Sequence, residues 1–230
     1  MTFQKKCFLI FVFGLFNFLL IVGFLIIRDN VLEYNLRKEI NELSELDITK
    51  DRFNSDLKTS GNYVLVEEAI KLYLDDYAVY LQDVLNVINS EEFRGLFSLD
   101  NYKNDGPEFN NSLNYIEKTK NKFNSDILFL IDKSNEDSIK NNILSYTRDN
   151  YYVSLYEQLM LGDEKSIDFE KNIIMLNNLQ DEVNNVFSVS VSMFEFLSLN
   201  RENYTIENGE IKFKTQELLN QYNSYINKIK

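Results

Sequence analysis

The stretch that decides the fold is residues 109–130, FNNSLNYIEKTKNKFNSDILFL. Its apolar side chains recur at alternating intervals of four and three residues: Phe109, Leu113, Ile116, Phe123, Ile127 and Leu130. Lys120 is the one polar residue that falls at these intervals. This spacing places them along one side of an α-helix, where they can pack against other helices. The stretch therefore predicts one helix of a helical bundle.

Three further segments have the same helical spacing. Residues 66–88, 139–160 and 166–197 each place apolar side chains on one helix face. Within the last of them, residues 186–192, VFSVSVS, alternate like a strand, but the helical sequence on both sides favours a helix. The sequence predicts several long helices.

Turn signals separate these segments. Asn104-Asp105-Gly106 predicts a turn, and Pro107 predicts the first residue of the following helix. Asn208-Gly209 lies between two short alternating runs and predicts a two-residue hairpin over 204–213, after which Thr215 predicts the cap of a last helix. The predicted fold class is all-α with one small C-terminal β-hairpin.

An apolar run, FLIFVFGLFNFLLIVGFLII, occupies residues 8–27 and contains no charged residue. At a rise of about 1.5 Å per residue, it would span roughly 30 Å as a helix, which matches the hydrocarbon core of a bilayer. The run is longer than the apolar region of a signal peptide, and no small-residue cleavage site follows it. The sequence therefore predicts an uncleaved transmembrane signal anchor.

This anchor sets the predicted domain organisation. Residues 1–7 form a short basic cytoplasmic tail, residues 28–61 a juxtamembrane stalk and linker, and residues 62–230 an elongated acidic helical bundle. Lys5 and Lys6 precede the anchor and favour a cytoplasmic N-terminus. We expect a single-pass protein of the cell membrane whose C-terminal domain is extracytoplasmic.

The composition excludes several catalytic chemistries. The chain has no His and one Cys, which excludes Ser-His-Asp and Cys-His nucleophile systems and His-bearing zinc sites. Acidic pairs such as Asp75-Asp76 lie at adjacent helix positions, which do not face one another. Residues 100–108 are rich in oxygen ligands, but Lys103 occupies a ligand position of a calcium loop. No catalytic residue, cofactor or metal ligand is predicted.

The charge balance limits the class of partner. The chain carries 24 Lys and Arg against 36 Asp and Glu, a formal net charge of −12 at pH 7. A surface of this sign repels phosphate backbones. We therefore expect a protein partner or self-association and no nucleic acid.

Tyrosines are the candidate partner-binding residues, because each has an apolar ring and a hydroxyl that suit a recognition surface. The candidates fall in two groups with one arginine among them: Tyr73, Tyr77 and Tyr80, then Tyr146, Arg148, Tyr151 and Tyr152. Helical spacing places most of these rings on the core-facing stripe, however, which favours packing in the core over binding.

The sequence favours a membrane-anchored extracytoplasmic interaction or sensor module without catalytic activity. Two alternatives stay open. One is a carboxylate-type enzyme that acts on a cell-envelope polymer, since two acids from distant helices could converge in the fold. The other is a helical bundle that senses a small ligand.

Overall fold

The computed structural model describes residues 3–53, 55–162 and 169–229, with the backbone alone for residues 3–19 and 169. The chain is mostly helical and has a two-stranded antiparallel hairpin near its C-terminus, which confirms these two parts of the predicted fold class. The elements in chain order are α1 (Phe3–Ser44), α2 (Tyr63–Asn89), α3 (Glu91–Gly95), α4 (Leu99–Asn104), α5 (Asn110–Lys133), α6 (Glu136–Asn142), α7 (Asn150–Leu161), α8 (Phe169–Leu199), β1 (Tyr204–Glu207), β2 (Glu210–Phe213) and α9 (Gln216–Ile226).

The predicted transmembrane signal anchor and the single-pass membrane location are corrected by the structure. In the part of the chain that it describes, no helix has the length and apolar character needed to cross a membrane. The described side chains of α1 begin at Leu20, and Arg28, Asp29 and Glu33 follow too soon for an apolar run of that length. Residues 8–19 of the predicted anchor lie outside the residues described with side chains.

The chain forms two compact units, each built from two separate segments. Unit 1 contains Met1–Asp75 and Lys140–Ser166. Its buried apolar side chains come from α1, α2, α7 and the segments beside them: Leu36, Ile40, Leu43, Phe53, Tyr63, Val66, Ala69, Ile70, Tyr73, Ile143, Leu155 and Tyr156. Burial of these side chains is the main favourable contribution to the stability of this unit.

Unit 2 contains Asp76–Ile139 and Ile167–Lys230, and its core is the packing of α5 against α8. Most of the stripe that the sequence predicted on α5 is buried there, with Lys120 left half-buried. The Phe213 ring of the hairpin lies 5.9 Å from that of Phe196 and 5.4 Å from that of Tyr222, measured between centroids. The hairpin and α9 therefore extend the core of unit 2.

The hairpin forms at the predicted position. Its strands pair Tyr204 with Phe213 and Glu207 with Glu210, and the turn residues Asn208 and Gly209 have φ angles of 50° and 76°. Positive φ at both central residues is the geometry that an Asn-Gly turn adopts most readily. The local sequence therefore fixed the register of this element.

The start of α5 differs from the prediction. The helix begins at Asn110 and not at Pro107, because Phe109 has a left-handed φ of 54°. The carboxylate of Asp105 accepts hydrogen bonds from the backbone N–H groups of Asn111 (3.0 Å) and Ser112 (2.7 Å). Asp105 therefore caps a helix that starts later than the turn signal indicated.

Candidate interaction site

The site begins with a break in the predicted helix over residues 139–160. After α6 and a short 3₁₀ turn at Ile143–Ser145, the chain leaves helical geometry and restarts as α7. Asp149 has an extended backbone, and its carboxylate accepts the backbone N–H of Tyr151 at 2.9 Å. A carboxylate at this position stabilises the start of a helix, so Tyr151 and Tyr152 lie in the first turn of α7.

Three tyrosine rings meet at this turn. Tyr63, the first residue of α2, is 1% exposed, and its ring packs edge-to-face with those of Tyr151 and Tyr152 at centroid distances of 6.3 and 5.2 Å. The rings of Tyr151 and Tyr152 are 5.1 Å apart. Edge-to-face geometry is favourable for aromatic rings, so the three positions hold one another in place.

A carboxylate of α1 completes the cluster. The Tyr151 hydroxyl donates to Glu33 Oε2 at 2.5 Å, and Arg37 Nε donates to Glu33 Oε1 at 2.8 Å. Arg37 also donates to Gln158 Oε1 of α7 at 2.8 Å. We call the three rings and Glu33 the tyrosine patch. These hydrogen bonds join α1 and α7, and the contact between the Tyr63 and Tyr151 hydroxyls, 3.2 Å apart, adds α2 of the same unit.

The protonation states of the patch follow from these contacts. The hydrogen bond from Tyr151, with a further contribution from Arg37, keeps the pKa of Glu33 below its ordinary value despite partial burial. Burial, reinforced by the charge of Glu33, raises the pKa of Tyr151, and burial also raises the pKa values of Tyr63 and Tyr152. At neutral pH the patch therefore presents protonated phenols beside an ionised carboxylate.

The other tyrosines that the sequence singled out have packing contacts. Tyr73 is buried in unit 1, and Tyr146 is half-buried. In unit 2 the ring of Tyr80 stacks on Phe129 at 3.7 Å between centroids, and Tyr77 is packed against the core. Arg148 is exposed beside α7. Among the candidate partner-binding residues predicted from the sequence, Tyr151 and Tyr152 are brought together by the described ring contacts.

Sequence reasoning missed Tyr63 and Glu33. The Ser60-Gly61-Asn62 break directly before Tyr63 marks a helix start, and this signal could have identified Tyr63 as a first-turn residue. Glu33 lies 118 residues from Tyr151 along the chain, and its spacing in α1 gives no sign of that contact.

Unit 1 also contains a buried ionic cluster. Lys71 Nζ lies 2.9 Å from Glu39 Oε1 and 2.6 Å from Glu67 Oε1, and it donates to the backbone oxygen of Asp56 at 2.8 Å. Glu67 accepts the backbone N–H groups of Lys58 and Thr59 at 2.9 and 2.8 Å. These bonds connect the loop between α1 and α2 to both of these helices.

Through Lys71, the cluster brings together two acids from different helices, Glu39 of α1 and Glu67 of α2. Such a pair is what the carboxylate-type enzyme alternative requires. Burial raises the pKa of Glu67, but hydrogen bonds from Lys71, Thr59 and Lys58 outweigh it, and the pKa lies below its ordinary value. Burial of Glu39 is likewise outweighed by Lys58 and Lys71. A general acid needs a raised pKa, whereas these carboxylates stay ionised.

Two open grooves lie in unit 2. One, of about 520 Å³, is lined by Tyr77 and Leu81 of α2 and by α8 residues around Leu176. The other, of about 460 Å³, lies between α5 and α8 and includes Lys120. Within the described ranges, no group of three or more Cys, Asp or Glu residues is placed to hold a metal ion.

No protein-family model, curated protein or solved structure significantly matches this chain. Its function is therefore inferred from its own residues.

Proposed function

We propose that this chain is a non-catalytic helical interaction module whose tyrosine patch binds a basic segment of a protein partner. The observation that carries the proposal is the geometry of Tyr151, whose side chain is 46% exposed while its hydroxyl is held on Glu33. A ring that is both exposed and fixed can contact a partner with little loss of rotamer entropy.

The chemistry of the patch favours a cationic partner group. The face of a tyrosine ring attracts Lys and Arg side chains within about 6 Å of its centroid. Glu33 supplies an ionised carboxylate beside the rings, and the charge of Asp29 adds to the electrostatic environment of Tyr152. Arg37 neutralises part of the charge of Glu33. The attraction for a cationic group therefore comes from Glu33 and Asp29 together.

The net charge of the whole chain also favours a basic segment as the partner. A net charge of −12 attracts a basic segment at long range and repels acidic ones. The ionised state of Glu39 and Glu67 supports the non-catalytic part of the proposal, because both carboxylates are already engaged by lysines in unit 1.

Fluorescence anisotropy with a labelled octalysine peptide tests the proposal. Tyr151→Ala should weaken binding of this probe about two- to fivefold, since a cation–π contact at an exposed site contributes about 0.5–1 kcal/mol. The matched control is Leu144→Ala, because the Leu144 side chain, also in unit 1, is 46% exposed as well. The control variant should bind like the original chain.

Two results would contradict the proposal. One is unchanged octalysine binding by the double variant Tyr151→Ala/Tyr152→Ala, shown to be folded by circular dichroism. The other is binding of an octaglutamate peptide as strong as that of octalysine, because the patch has the wrong charge for an acidic segment.

A further inference from the structure

The groove between α5 and α8 combines an apolar floor with charged walls. Its volume is about 460 Å³, which lies within the range of about 300–1,000 Å³ that is usual for small-molecule sites. Ile116 and Phe187 are buried at its floor, and Leu113 and Val191 are half-buried beside them. A surface of this kind can bury the apolar side chains of a ligand.

Lys120 is the cationic residue of this groove. It falls at the intervals of the apolar stripe of α5, and it is half-buried. Two other lysines of α5 are paired, since Lys122 lies 2.8 Å from Asp126 and Lys133 lies 3.6 Å from Asp76. Among the described residues, by contrast, the Lys120 ammonium has no ion pair or hydrogen bond. It is therefore available to the carboxylate of a ligand.

The two helices of the groove run in opposite directions. Asn184 of α8 donates to Asn124 Oδ1 of α5 at 2.8 Å. The ring of Phe109, directly before α5, stacks on that of Phe194 at 4.6 Å between centroids. Between these two contacts, Lys120 lies nearly level with Ser188 of α8. Lys120 and Ser188 therefore mark one end of the groove.

Acidic residues lie toward the other end. Glu117 precedes Lys120 by one turn of α5, and Glu195 lies two turns beyond Ser188 on α8. Both acids are exposed, and neither has an ion pair or hydrogen bond within the part of the chain that the structure describes. Seven residues of α-helix rise about 10 Å, so the cation and the Glu195 carboxylate are separated by about this length of groove.

The separation of these charges sets the length of the ligand. An extended tripeptide spans about 10 Å, at about 3.3–3.6 Å per residue. Its carboxylate can reach Lys120 and the Ser188 hydroxyl, while its amino terminus lies beside Glu195 and its apolar side chains cover the floor. A single amino acid is too short to reach both ends, and a fatty acid brings no ammonium group to the acidic end.

We infer that this groove binds a short apolar peptide with free termini, whose carboxylate lies at Lys120. This inference concerns unit 2 and does not depend on binding by the tyrosine patch of unit 1.

Isothermal titration calorimetry of the full-length chain with trileucine measures this binding, at about 0.15 M salt to screen the net charge of the chain. Trileucine amide lacks the carboxylate, and N-acetyl-trileucine lacks the ammonium. Each should bind about three- to tenfold more weakly than trileucine, because the ion pair that it loses is neither fully exposed nor fully buried.

Lys120→Met tests the carboxylate end. It should weaken trileucine binding about three- to tenfold and leave the binding of trileucine amide unchanged, since the amide has no charge for Lys120 to meet. The matched control is Lys118→Met, which removes a lysine from an exposed position of the same helix outside the groove. The control variant should bind both peptides like the original chain.

Glu195→Gln tests the ammonium end by the same comparison. It should weaken the binding of trileucine and leave that of N-acetyl-trileucine unchanged. Asp181→Asn is the matched control, because Asp181 is an exposed acid of α8 that does not line the groove.

Three results would overturn the inference. They are the absence of saturable trileucine binding at millimolar concentrations, equal weakening by Lys120→Met and Lys118→Met, and a loss in Lys120→Met that is as large for the amide as for trileucine. Circular dichroism of each variant establishes that a loss of binding is not a loss of fold.

Discussion

At the scale of single residues, Lys71 is the side chain on which the buried charges of unit 1 depend. It is 2% exposed, and it neutralises Glu39 and Glu67, which are 4% and 0% exposed. Removing one member of a buried ionic cluster leaves the others without compensation for their lost hydration. The cluster therefore constrains the fold even where its net contribution to stability is small.

We predict that Lys71→Met lowers the free energy of unfolding by about 3–5 kcal/mol, because two buried carboxylates lose their shared cation. Urea denaturation measures this change. The control is Lys38→Met, because the Lys38 ammonium lies 3.8 Å from Glu42 in an exposed pair. Exposed pairs contribute about 0–1 kcal/mol, so a similar loss in both variants would contradict the role assigned to Lys71.

Glu39 and Glu67 of this cluster, together with Asp105 of unit 2, give a pH dependence of stability with a definite sign. The pKa values of Glu39, Glu67 and Asp105 lie below their ordinary values of 4.5, 4.5 and 3.8. A lowered pKa in the folded state contributes stability that is present above the ordinary value and is lost as the pH falls through the folded value.

We therefore predict that the urea midpoint falls as the pH decreases below about 4.5. Glu67→Gln should lower stability at neutral pH and make this acid-side slope shallower, since one of the responsible carboxyls is gone. A slope that is unchanged in Glu67→Gln would assign the acid sensitivity to other groups.

At the scale of elements, Asp105 determines where α5 starts. Its carboxylate accepts two backbone N–H groups of the first turn, which have no partner within the helix. We predict that Asp105→Ala lowers the free energy of unfolding by about 0.5–2 kcal/mol, the usual effect of losing a helix cap. Thermal melts followed by circular dichroism measure it. Glu108→Ala, at an exposed position nearby, should have a smaller effect.

The elements that the sequence predicted correctly are those with a local cause. Periodicity identified α2, α5 and α8, and the Asn-Gly pair identified the hairpin. The errors have a physical cause as well. The interval of seven residues between the apolar positions Tyr146 and Val153 fits one continuous helix, but Asp149 caps a new helix within it, so the helix is interrupted where the spacing gave no sign of a break. Side-chain caps of this kind override periodicity at element ends.

At the scale of the whole molecule, the site depends on contacts between segments far apart in sequence. Tyr151 and Tyr152 were identifiable as candidates because they are tyrosines, but the sequence placed them within the predicted helix over residues 139–160, and the helix start beside them appears only in the structure. Their partners Tyr63 and Glu33 come from two other helices of unit 1. Periodicity assigns a residue to a face of its own helix, but it does not say which other helix covers that face, so no local pattern predicted the patch.

The charge of the whole chain gives the last prediction. Attraction between a chain of net charge −12 and octalysine acts over a Debye length, which is about 10 Å at 0.1 M salt and about 3 Å at 1 M. The contact at the Tyr151 ring acts at close range and is screened much less. Raising sodium chloride from about 0.05 to about 0.5 M should therefore weaken octalysine binding to the original chain and to Tyr151→Ala by similar factors. The ratio of about two to five between the two affinities should persist across the series. If that ratio disappears at high salt, Tyr151 acts through general electrostatics, and the patch is not the binding site.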